Sequence, residues 1–270
     1  MLKFRILDFG FQFPHNLFNP NFVRWIMKII RFLYSLMLLF GVIFISSCEK
    51  SSSCIHGDGP IVTQTLNVGD FNGIDLSGSF NAVLHYGTEY KVEAIGQQNI
   101  IDHITYNKQN GNWIMALAEG CYSNYQLTIH ITMPAINEFG VSGTGNIQVM
   151  NKFSSLDNLS VFNSGSGHIF CNDSLLIINF LNVDMSASGS VELIGTVATQ
   201  NINISGSGDY QAFNLLSDEC IISIPGSGNA EINVSTTLDA FISGSGNIYY
   251  SGNPVIYSNI TGSGSIINSN

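Results

Sequence analysis

Short alternations of apolar and polar residues fill the second half of the chain. Runs at residues 202–204, 222–224 and 238–242 place every second side chain on one face, as half-buried β-strands do. No stretch in this half keeps the apolar period of an α-helix over several turns. The pattern therefore predicts an all-β structure in which helices are nearly absent.

A glycine motif separates these strands at regular intervals. It reads Ser/Thr-Gly-Ser/Thr-Gly, with single departures at Ala187 and Pro225, and its copies begin at residues 142, 164, 186, 205, 225, 243 and 261. A unit of roughly 20 residues cannot enclose a core alone, but such units can when they stack at about 4.8 Å per coil. The repeat predicts a β-solenoid over residues 136–270, with the motif at one corner of each coil.

The fourth position of the motif is a glycine in every copy. A sharp corner beneath an identical corner leaves no space for a Cβ atom and favours a positive φ, which glycine tolerates best. We therefore predict structural turns with positive φ at these glycines, and ladders of Asn and Ser side chains beside them. The set comprises Gly145, Gly167, Gly189, Gly208, Gly228, Gly246 and Gly264.

Residues 60–135 also have strand character, for example at residues 81–86 and 127–134, but they lack the tight repeat. Polar, turn-forming segments separate these runs. We predict an irregular, β-rich N-terminal part of the same head domain, placed before the solenoid. Residues 48–59 are expected to form a linker.

The longest apolar run lies near the N-terminus, where Lys28 and Arg31 precede residues 32–45. A basic start, a short apolar stretch and small residues before a cysteine form an export signal, and the stretch is too short for a comfortable membrane span. Residues 45–48, Ile-Ser-Ser-Cys, resemble the lipobox of bacterial lipoproteins. The resemblance implies a signal-peptide helix at residues 27–47, its removal, and a lipid on Cys48.

A single N-terminal membrane anchor is the alternative interpretation of this run. Both interpretations place the residues after Cys48 outside the cytoplasm. Residues 1–26 show no helical periodicity and do not fit a signal peptide. We predict that they are a mis-assigned or cytoplasmic extension and that translation starts at Met27.

Charge restricts the partners of the exported part. From Cys48 onward the sequence holds 18 Asp and Glu residues, four Lys and no Arg, so the net charge is 4 − 18 = −14. Such a surface repels nucleic acid and anionic lipid headgroups. We therefore expect no nucleic-acid partner, and attachment to the membrane through the lipid anchor.

Four cysteines remain after the lipobox: Cys54, Cys121, Cys171 and Cys220. An even number in an oxidising compartment is typical of disulfides. Three pairings are open, and none has the spacing of metal ligands. Buried free thiols are an equal alternative for Cys171 and Cys220.

Several of these segments together resemble a known family. Residues 71–79 read Phe-Asn-Gly-Ile-Asp-Leu-Ser-Gly-Ser, residues 127–134 read Leu-Thr-Ile-His-Ile-Thr-Met-Pro, and the glycine motif follows. Over about residues 60–268 the chain resembles the putative auto-transporter adhesin head GIN domain family, a domain of unknown function frequent in Bacteroidetes lipoproteins. The resemblance implies a right-handed parallel β-helix-like solenoid at the cell envelope, an adhesive role and no catalytic residues.

A polysaccharide-active β-helix enzyme is the alternative function. Such sites need clustered carboxylates, often beside a base or calcium. Residues 142–270 contain nine acids and a single base, Lys152, which does not favour a lyase. Only residues 206–209 approach a calcium-binding repeat, and among the scattered histidines only His85 and His130 could face each other. We therefore expect no enzyme activity, metal or cofactor.

Four tyrosines in the late coils are the candidate ligand contacts: Tyr210, Tyr249, Tyr250 and Tyr257. Because aromatic faces can stack on sugars, we predict that they contact a glycan or a protein. The last coil is expected either to self-associate through its strand edge, giving a homo-oligomer, or to be capped by residues 268–270. The expected function is that of a non-catalytic lipoprotein of the cell envelope, anchored to the surface or periplasmic face of the outer membrane, that acts as an adhesin-like or structural binding surface.

Overall fold

The structure, a computed structural model, describes residues 54–270 and, before them, Arg24 alone. The predictions for residues 1–26, for the signal peptide at residues 27–47 and for the lipid on Cys48 lie outside the described residues. Residues 54–270 form one unit, and everything below concerns this unit.

Strands account for nearly all regular structure in this unit. In chain order they are β1 (Ile55–His56), β2 (Ile61–Thr65), β3 (Gly73–Leu76), β4 (Asn81–Tyr86), β5 (Lys91–Gln97), β6 (Lys108–Gln109), β7 (Asn112–Met115), β8 (Tyr122–Ser123), β9 (Leu127–Met133), β10 (Glu138–Val141), β11 (Ile147–Val149), β12 (Phe153–Asn163), β13 (Ile169–Cys171), β14 (Leu175–Met185), β15 (Val191–Glu192), β16 (Gly195–Ile204), β17 (Tyr210–Ile224), β18 (Ala230–Ile242), β19 (Ile248–Ser251), β20 (Val255–Ile260) and β21 (Ile266–Asn268). One short helix, α1 (Gln98–Ile101), follows β5 in the described part of the chain.

Parallel pairing stacks these strands into coils whose first and second sides meet at the glycine motif. On the first side, which leads into the motif, β3 pairs with β10, β10 with β12, and β12 with β14. On the second side, which follows the motif, β4 pairs with β11 and β11 with β13. The same parallel register continues to β20 and β21. The predicted all-β solenoid is confirmed.

The stack starts before residue 136. β3 and β4 carry residues 77–80 as a corner directly beneath residues 142–145, and the backbone N–H of Gly145 donates to the carbonyl oxygen of Gly78 at 3.0 Å. β7 pairs in parallel with β3, and β9 with β4. The N-terminal part is therefore more regular than its sequence indicates, because Phe80 occupies the fourth motif position and hides the repeat.

An antiparallel layer covers the N-terminal end of the stack. β9 pairs with β5 and β5 pairs with β2, both antiparallel. This layer occupies a strand edge that would otherwise be free to pair with another chain. At the other end, β20 pairs with β18 and β21 pairs with β19, each on one side only within the described strands.

Inward side chains form continuous columns through the coils. The residue directly before every corner except the last is at most 1% exposed, and this column contains Leu76, Val141, Asn163, Met185, Ile204, Ile224 and Ile242. The second residue after every corner except the last is fully buried, and this column contains Ala82, Ile147, Ile169, Val191, Tyr210, Ala230 and Ile248. Each large apolar side chain in these columns contributes roughly 1.5–3 kcal/mol of burial free energy.

The predicted positive φ at the seven motif glycines is wrong. Positive φ occurs instead at Gly195 and Gly252 in the repeats, and none of the seven is among the positive-φ glycines of residues 54–270. The reason for glycine is the close approach of the coils. A Cβ atom at the fourth motif position would lie only 1.7–2.1 Å from a carbonyl oxygen of the preceding coil. These residues are therefore selected for their missing side chain, and their backbone is otherwise ordinary.

Candidate functional site

Polar side chains beside the glycine corner connect one coil to the next. The side-chain oxygen of Asn81 accepts the backbone N–H of Asn146 at 3.1 Å. In the late coils Asp209, Asn229 and Asn247 each accept the backbone N–H of the next coil at 3.0 Å. The Asn part of the expected ladder is confirmed, with Asp209 as an additional member, and these bonds hold neighbouring corners in register.

Tyr210, predicted as an exposed ligand contact, is fully buried, so that prediction is wrong. It occupies the inward column between Val191 and Ala230, whose small side chains leave room for the ring. Its hydroxyl donates to the side-chain oxygen of Gln200 at 3.1 Å, and the Gln200 amide donates to Ser217 at 2.8 Å. These three buried polar side chains satisfy one another inside the core.

The other three predicted tyrosines lie on different sides of the last coils. Tyr249 is partly exposed on the second side, between Glu231 and Ile267. Tyr250 packs against the core, while Tyr257 lies on the first side with 62% of its surface exposed. Tyr249 pairs with β21, and the last glycine corner lies between β21 and the strand that carries Tyr257. The rings of Tyr249 and Tyr257 therefore lie on different sides of the coils. Their role in binding stays a prediction.

The cysteines divide into one disulfide and two thiols. Cys54 is bonded to Cys121, 67 residues away, and the adjoining strands β1 and β8 pair in parallel. Cys171 and Cys220 are free and buried in the coils. Burial raises the pKa of the Cys171 thiol to about 12 and raises that of Cys220 as well, so both thiols stay protonated and unreactive.

A groove with two lobes opens beside the first corner of the stack. The lobes have volumes of about 580 and 520 Å³, and both are lined by Ser79, Phe80, Tyr122 and Tyr125. We call this feature the tyrosine groove. Each lobe falls within the range of about 300–1,000 Å³ that is typical of ligand sites.

Hydrogen bonds fix both tyrosine rings in the groove. The hydroxyl groups of Tyr125 and Ser79 are 2.7 Å apart, and the Tyr122 hydroxyl donates to the carbonyl oxygen of Ala118 at 2.9 Å. The two rings meet edge to face with centroids 6.3 Å apart. Desolvation and, as the smaller cause, the electrostatic interaction with Tyr125 raise the pKa of Tyr122. Its hydroxyl is therefore protonated and can donate this hydrogen bond. The walls are therefore set before any ligand arrives.

Neutral polar groups provide most of the remaining lining. The first lobe contains no Asp, Glu, Lys or Arg, and its hydroxyl and amide side chains come from Ser79, Asn81, Ser123, Asn124, Gln126 and Thr128. The second lobe contains one carboxylate, that of Glu119. Such a lining can donate and accept many hydrogen bonds without pairing charges.

Comparison with protein families decides the classification. A family model described as "Putative auto-transporter adhesin, head GIN domain" matches residues 70–254. The chain belongs to this family. The GIN domain fold and the sequence resemblance thus agree, and the chain is a member of an adhesin-like family of the cell surface or envelope.

Solved structures resemble this GIN domain over most of its length. A putative adhesin from Bacteroides fragilis is 26% identical, with a TM-score of 0.72, over 80% of this chain and all of its own. A putative lipid binding protein from Parabacteroides distasonis is 23% identical with a TM-score of 0.66, over 81% of this chain and all of its own. A putative adhesin from Parabacteroides merdae is 19% identical with a TM-score of 0.57, over 80% of this chain and 99% of its own. No curated protein matches the chain.

Two histidines of the GIN domain lie close together on neighbouring strands. The rings of His85 and His130 stack with centroids 5.6 Å apart, which confirms that they face each other. Desolvation, and then the charge of His130, lowers the pKa of His85.

Across residues 54–270, no three His, Cys, Asp or Glu side chains come together as metal ligands would. No helix in that range is long and apolar enough to cross a membrane.

The sequence contained only a partial signal for the tyrosine groove. Tyr122 and Tyr125 lie in a segment without a repeat, and Tyr125 meets Ser79 across 46 residues of sequence. The Cys54–Cys121 disulfide brings the segment's start to β1, but its pairing could not be chosen from sequence. The incomplete motif at residues 77–79 was the one available hint that a corner lies there.

Proposed function

We propose that this GIN domain protein is a lipid-anchored, adhesin-like protein of the cell envelope that holds a neutral glycan in the tyrosine groove. The observation that carries the proposal is the groove itself, a preformed cavity with two fixed tyrosine rings and an almost uncharged polar lining. The family's adhesin-like character supports the envelope location and a role in binding.

The lining suits a sugar because it offers two kinds of contact. The apolar face of a sugar ring can stack on an aromatic ring, and its hydroxyl groups can bond to amides and hydroxyls around it. The fixed positions of Tyr122 and Tyr125 reduce the entropy that binding would otherwise cost. A net charge of −14 after Cys48 disfavours uronic-acid or phosphate-bearing glycans, so the ligand is neutral.

Binding fits the cavities better than turnover does. A glycosidase typically uses two carboxyl groups roughly 5–9.5 Å apart. The first lobe of the groove has no carboxylate and the second has Glu119 alone, while two separate clefts have one carboxylate each, Asp157 and Asp70. For this reason we propose a binding protein and not a polysaccharide-active enzyme.

The proposed anchor determines where the groove operates. Five residues lie between Cys48 and Cys54, so the two Cα atoms are at most about 20 Å apart. A lipid on Cys48 would therefore hold the tyrosine groove close to the outer membrane. The ligand that fits this position is a neutral glycan of the envelope or its surface coat.

Calorimetry with neutral oligosaccharides chosen from a glycan array tests the groove. We expect Tyr125→Ala, in the full chain, to weaken binding at least about fivefold, because it removes a central aromatic contact. Tyr257→Ala is the matched control, since it removes an exposed tyrosine of the last coil that does not line the groove. Full binding by Tyr125→Ala, or loss of binding in Tyr257→Ala, would rule out the groove as the site.

Metabolic labelling with palmitate tests the anchor. The wild-type chain should incorporate label and Cys48→Ser should not, because the lipid is attached to that thiol. Protease treatment of whole cells, with and without permeabilisation of the outer membrane, then shows which face carries the domain. Equal labelling of the wild type and Cys48→Ser would exclude the lipoprotein assignment.

A further inference from the structure

The last coil leaves its outer strand edge open. β20 pairs only with β18, and β21 only with β19, within residues 54–270. The Asn270 side chain closes the turn at Gly252 with two hydrogen bonds, yet β20 remains exposed along its whole length. We call the outer edge of β20 and β21, with its exposed side chains, the end-coil face.

The end-coil face is the next layer of the apolar core. Ile256 lies in register with the fully buried Leu238, and Ile260 with Ile242, which is 1% exposed. In the last coil these two isoleucines are 37% and 42% exposed, whereas Val255 is in register with the partly exposed Thr237 and lies outside the inward column. The exposure of Ile256 and Ile260 results from the position of the coil and not from a change in residue type. A further β-layer placed on this face would bury them as the inner coils are buried.

The end-coil face also lacks the usual protection of strand edges. Natural edge strands carry charged residues, especially Lys, that prevent pairing with another chain. Residues 251–270 contain no Asp, Glu, Lys or Arg, although the chain after Cys48 carries a net charge of −14. A second copy of the same face can therefore approach without opposing charges, whereas the other faces of two such acidic chains repel each other.

We propose that two copies of this protein dock end to end through the end-coil face, with β20 of one copy pairing with β20 of the other. A two-fold axis across the contact makes the two strands antiparallel, which is a stable pairing in β-sheets. It also places the inward side chains Ile256 and Ile260 of each copy in one apolar contact. Each copy then supplies the missing strand partner and the missing core layer of the other.

This contact deepens the proposed function, and its effect on membranes rests on the proposed lipid anchor. The anchor lies at the N-terminal end of the chain and the end-coil face at the C-terminal end of the stack. A two-fold, end-to-end dimer turns the two anchors away from each other, which suits molecules held in two facing membranes. We infer homophilic adhesion between neighbouring cells or vesicles.

Sedimentation velocity of the full chain, extracted from membranes in detergent, tests the contact. We expect a monomer–dimer equilibrium over a concentration series, and Ile260→Asp should raise its Kd about 30-fold or more because it places a charge in the apolar contact. Ile221→Asp is the matched control, since that isoleucine is 41% exposed but lies on β17, two coils earlier. A wild type that stays monomeric, or equal weakening by both variants, would overturn the proposal.

A charge pair at an outward position tests the symmetry without placing a charge in the core layer. Asn259 is an exposed residue of β20, in register with the 48% exposed Phe241, and lies near the proposed two-fold axis. Asn259→Asp and Asn259→Lys should each be monomeric, because like charges come close to each other across the axis, and an equimolar mixture should form a heterodimer. Matching melting temperatures would show that both variants fold. A mixture that remains monomeric would overturn the pairing of β20 with its own copy.

Vesicle clustering tests adhesion separately. Vesicles of neutral lipid that carry the lipidated full chain should cluster, as measured by light scattering, and Ile260→Asp should abolish the clustering. Dimers in detergent without clustering of vesicles would overturn the bridging role. Glycan binding in the tyrosine groove and palmitate labelling do not depend on the dimer, so failure of the proposed function is distinguishable from failure of this contact.

Discussion

Replacing Gly246 with alanine tests the stacked corner most directly. A Cβ atom at this position would lie 1.8 Å from the carbonyl oxygen of Gly228 and 2.9 Å from the Ile224 side chain. A carbon atom approaches a carbonyl oxygen to about 3.3 Å at closest. The two coils would therefore have to separate locally by about 1.5 Å, which is a large fraction of the roughly 4.8 Å between strands.

Such a separation breaks the hydrogen bonds that cross the corner. Ser243 and Gly244 both donate to the carbonyl oxygen of Ile224, at 3.2 and 3.0 Å, and Ser245 donates to that of Gly226 at 3.0 Å. Each lost bond costs about 1 kcal/mol net. Alanine recovers only about 0.5 kcal/mol by restricting the unfolded chain. We expect the free energy of unfolding to fall by about 2.5 kcal/mol or more.

Urea unfolding followed by far-ultraviolet circular dichroism measures this change. Gly120→Ala is the matched control, because its Cβ atom would lie 3.5 Å from the nearest atom, in the Tyr122 ring, which is an ordinary contact. That variant should change the free energy of unfolding by less than about 0.5 kcal/mol. Equal unfolding midpoints for Gly246→Ala and Gly120→Ala would refute the steric reason for the motif glycines.

Two further changes test the core and the disulfide. Replacing Cys54 and Cys121 together by serine opens a loop of 67 residues and should lower the free energy of unfolding by up to about 4 kcal/mol, measured in urea, whereas added reductant should have no further effect on this variant. Tyr210→Phe leaves the Gln200 side-chain oxygen without its donor inside the core and should cost about 1–3 kcal/mol in thermal unfolding, while Tyr257→Phe, at an exposed site, should cost less than about 0.5 kcal/mol. Unchanged stability in the first variant, or equal losses in the two tyrosine variants, would contradict these expectations.

The fold could be predicted because its repeat is visible in short-range sequence patterns. The spacing of the glycine motif and the alternation around it depend only on neighbouring residues, so one chain is enough to show them. The orientation of Tyr210 could have been predicted in the same way, since the second residue after each corner is apolar or aromatic in every copy. The prediction of positive φ was wrong because a turn can require glycine for either of two reasons: a positive φ, or the lack of space for a Cβ atom. The sequence does not show which of the two applies.

The tyrosine groove could not be predicted because it depends on contacts between distant segments. Tyr125 reaches Ser79 only after β4 and β9 pair, and the Cys54–Cys121 disulfide is one of three pairings that sequence allows. Periodicity carries no information about such contacts. The late tyrosines, which were predicted as ligand contacts, lie in recognisable repeats, whereas Tyr122 and Tyr125 lie where the repeat is interrupted.

Coil length varies in this protein while the glycine corner keeps its position. Successive motifs begin 18 to 22 residues apart, and the shifts in strand register fall away from the corner, as between Ala212 and Leu216. Residues can thus be gained or lost on the far edge of a coil without moving its neighbours. Loops of new length and shape can therefore evolve at that edge without a change in the stacked corners. An engineered epitope inserted there would disturb the stack least.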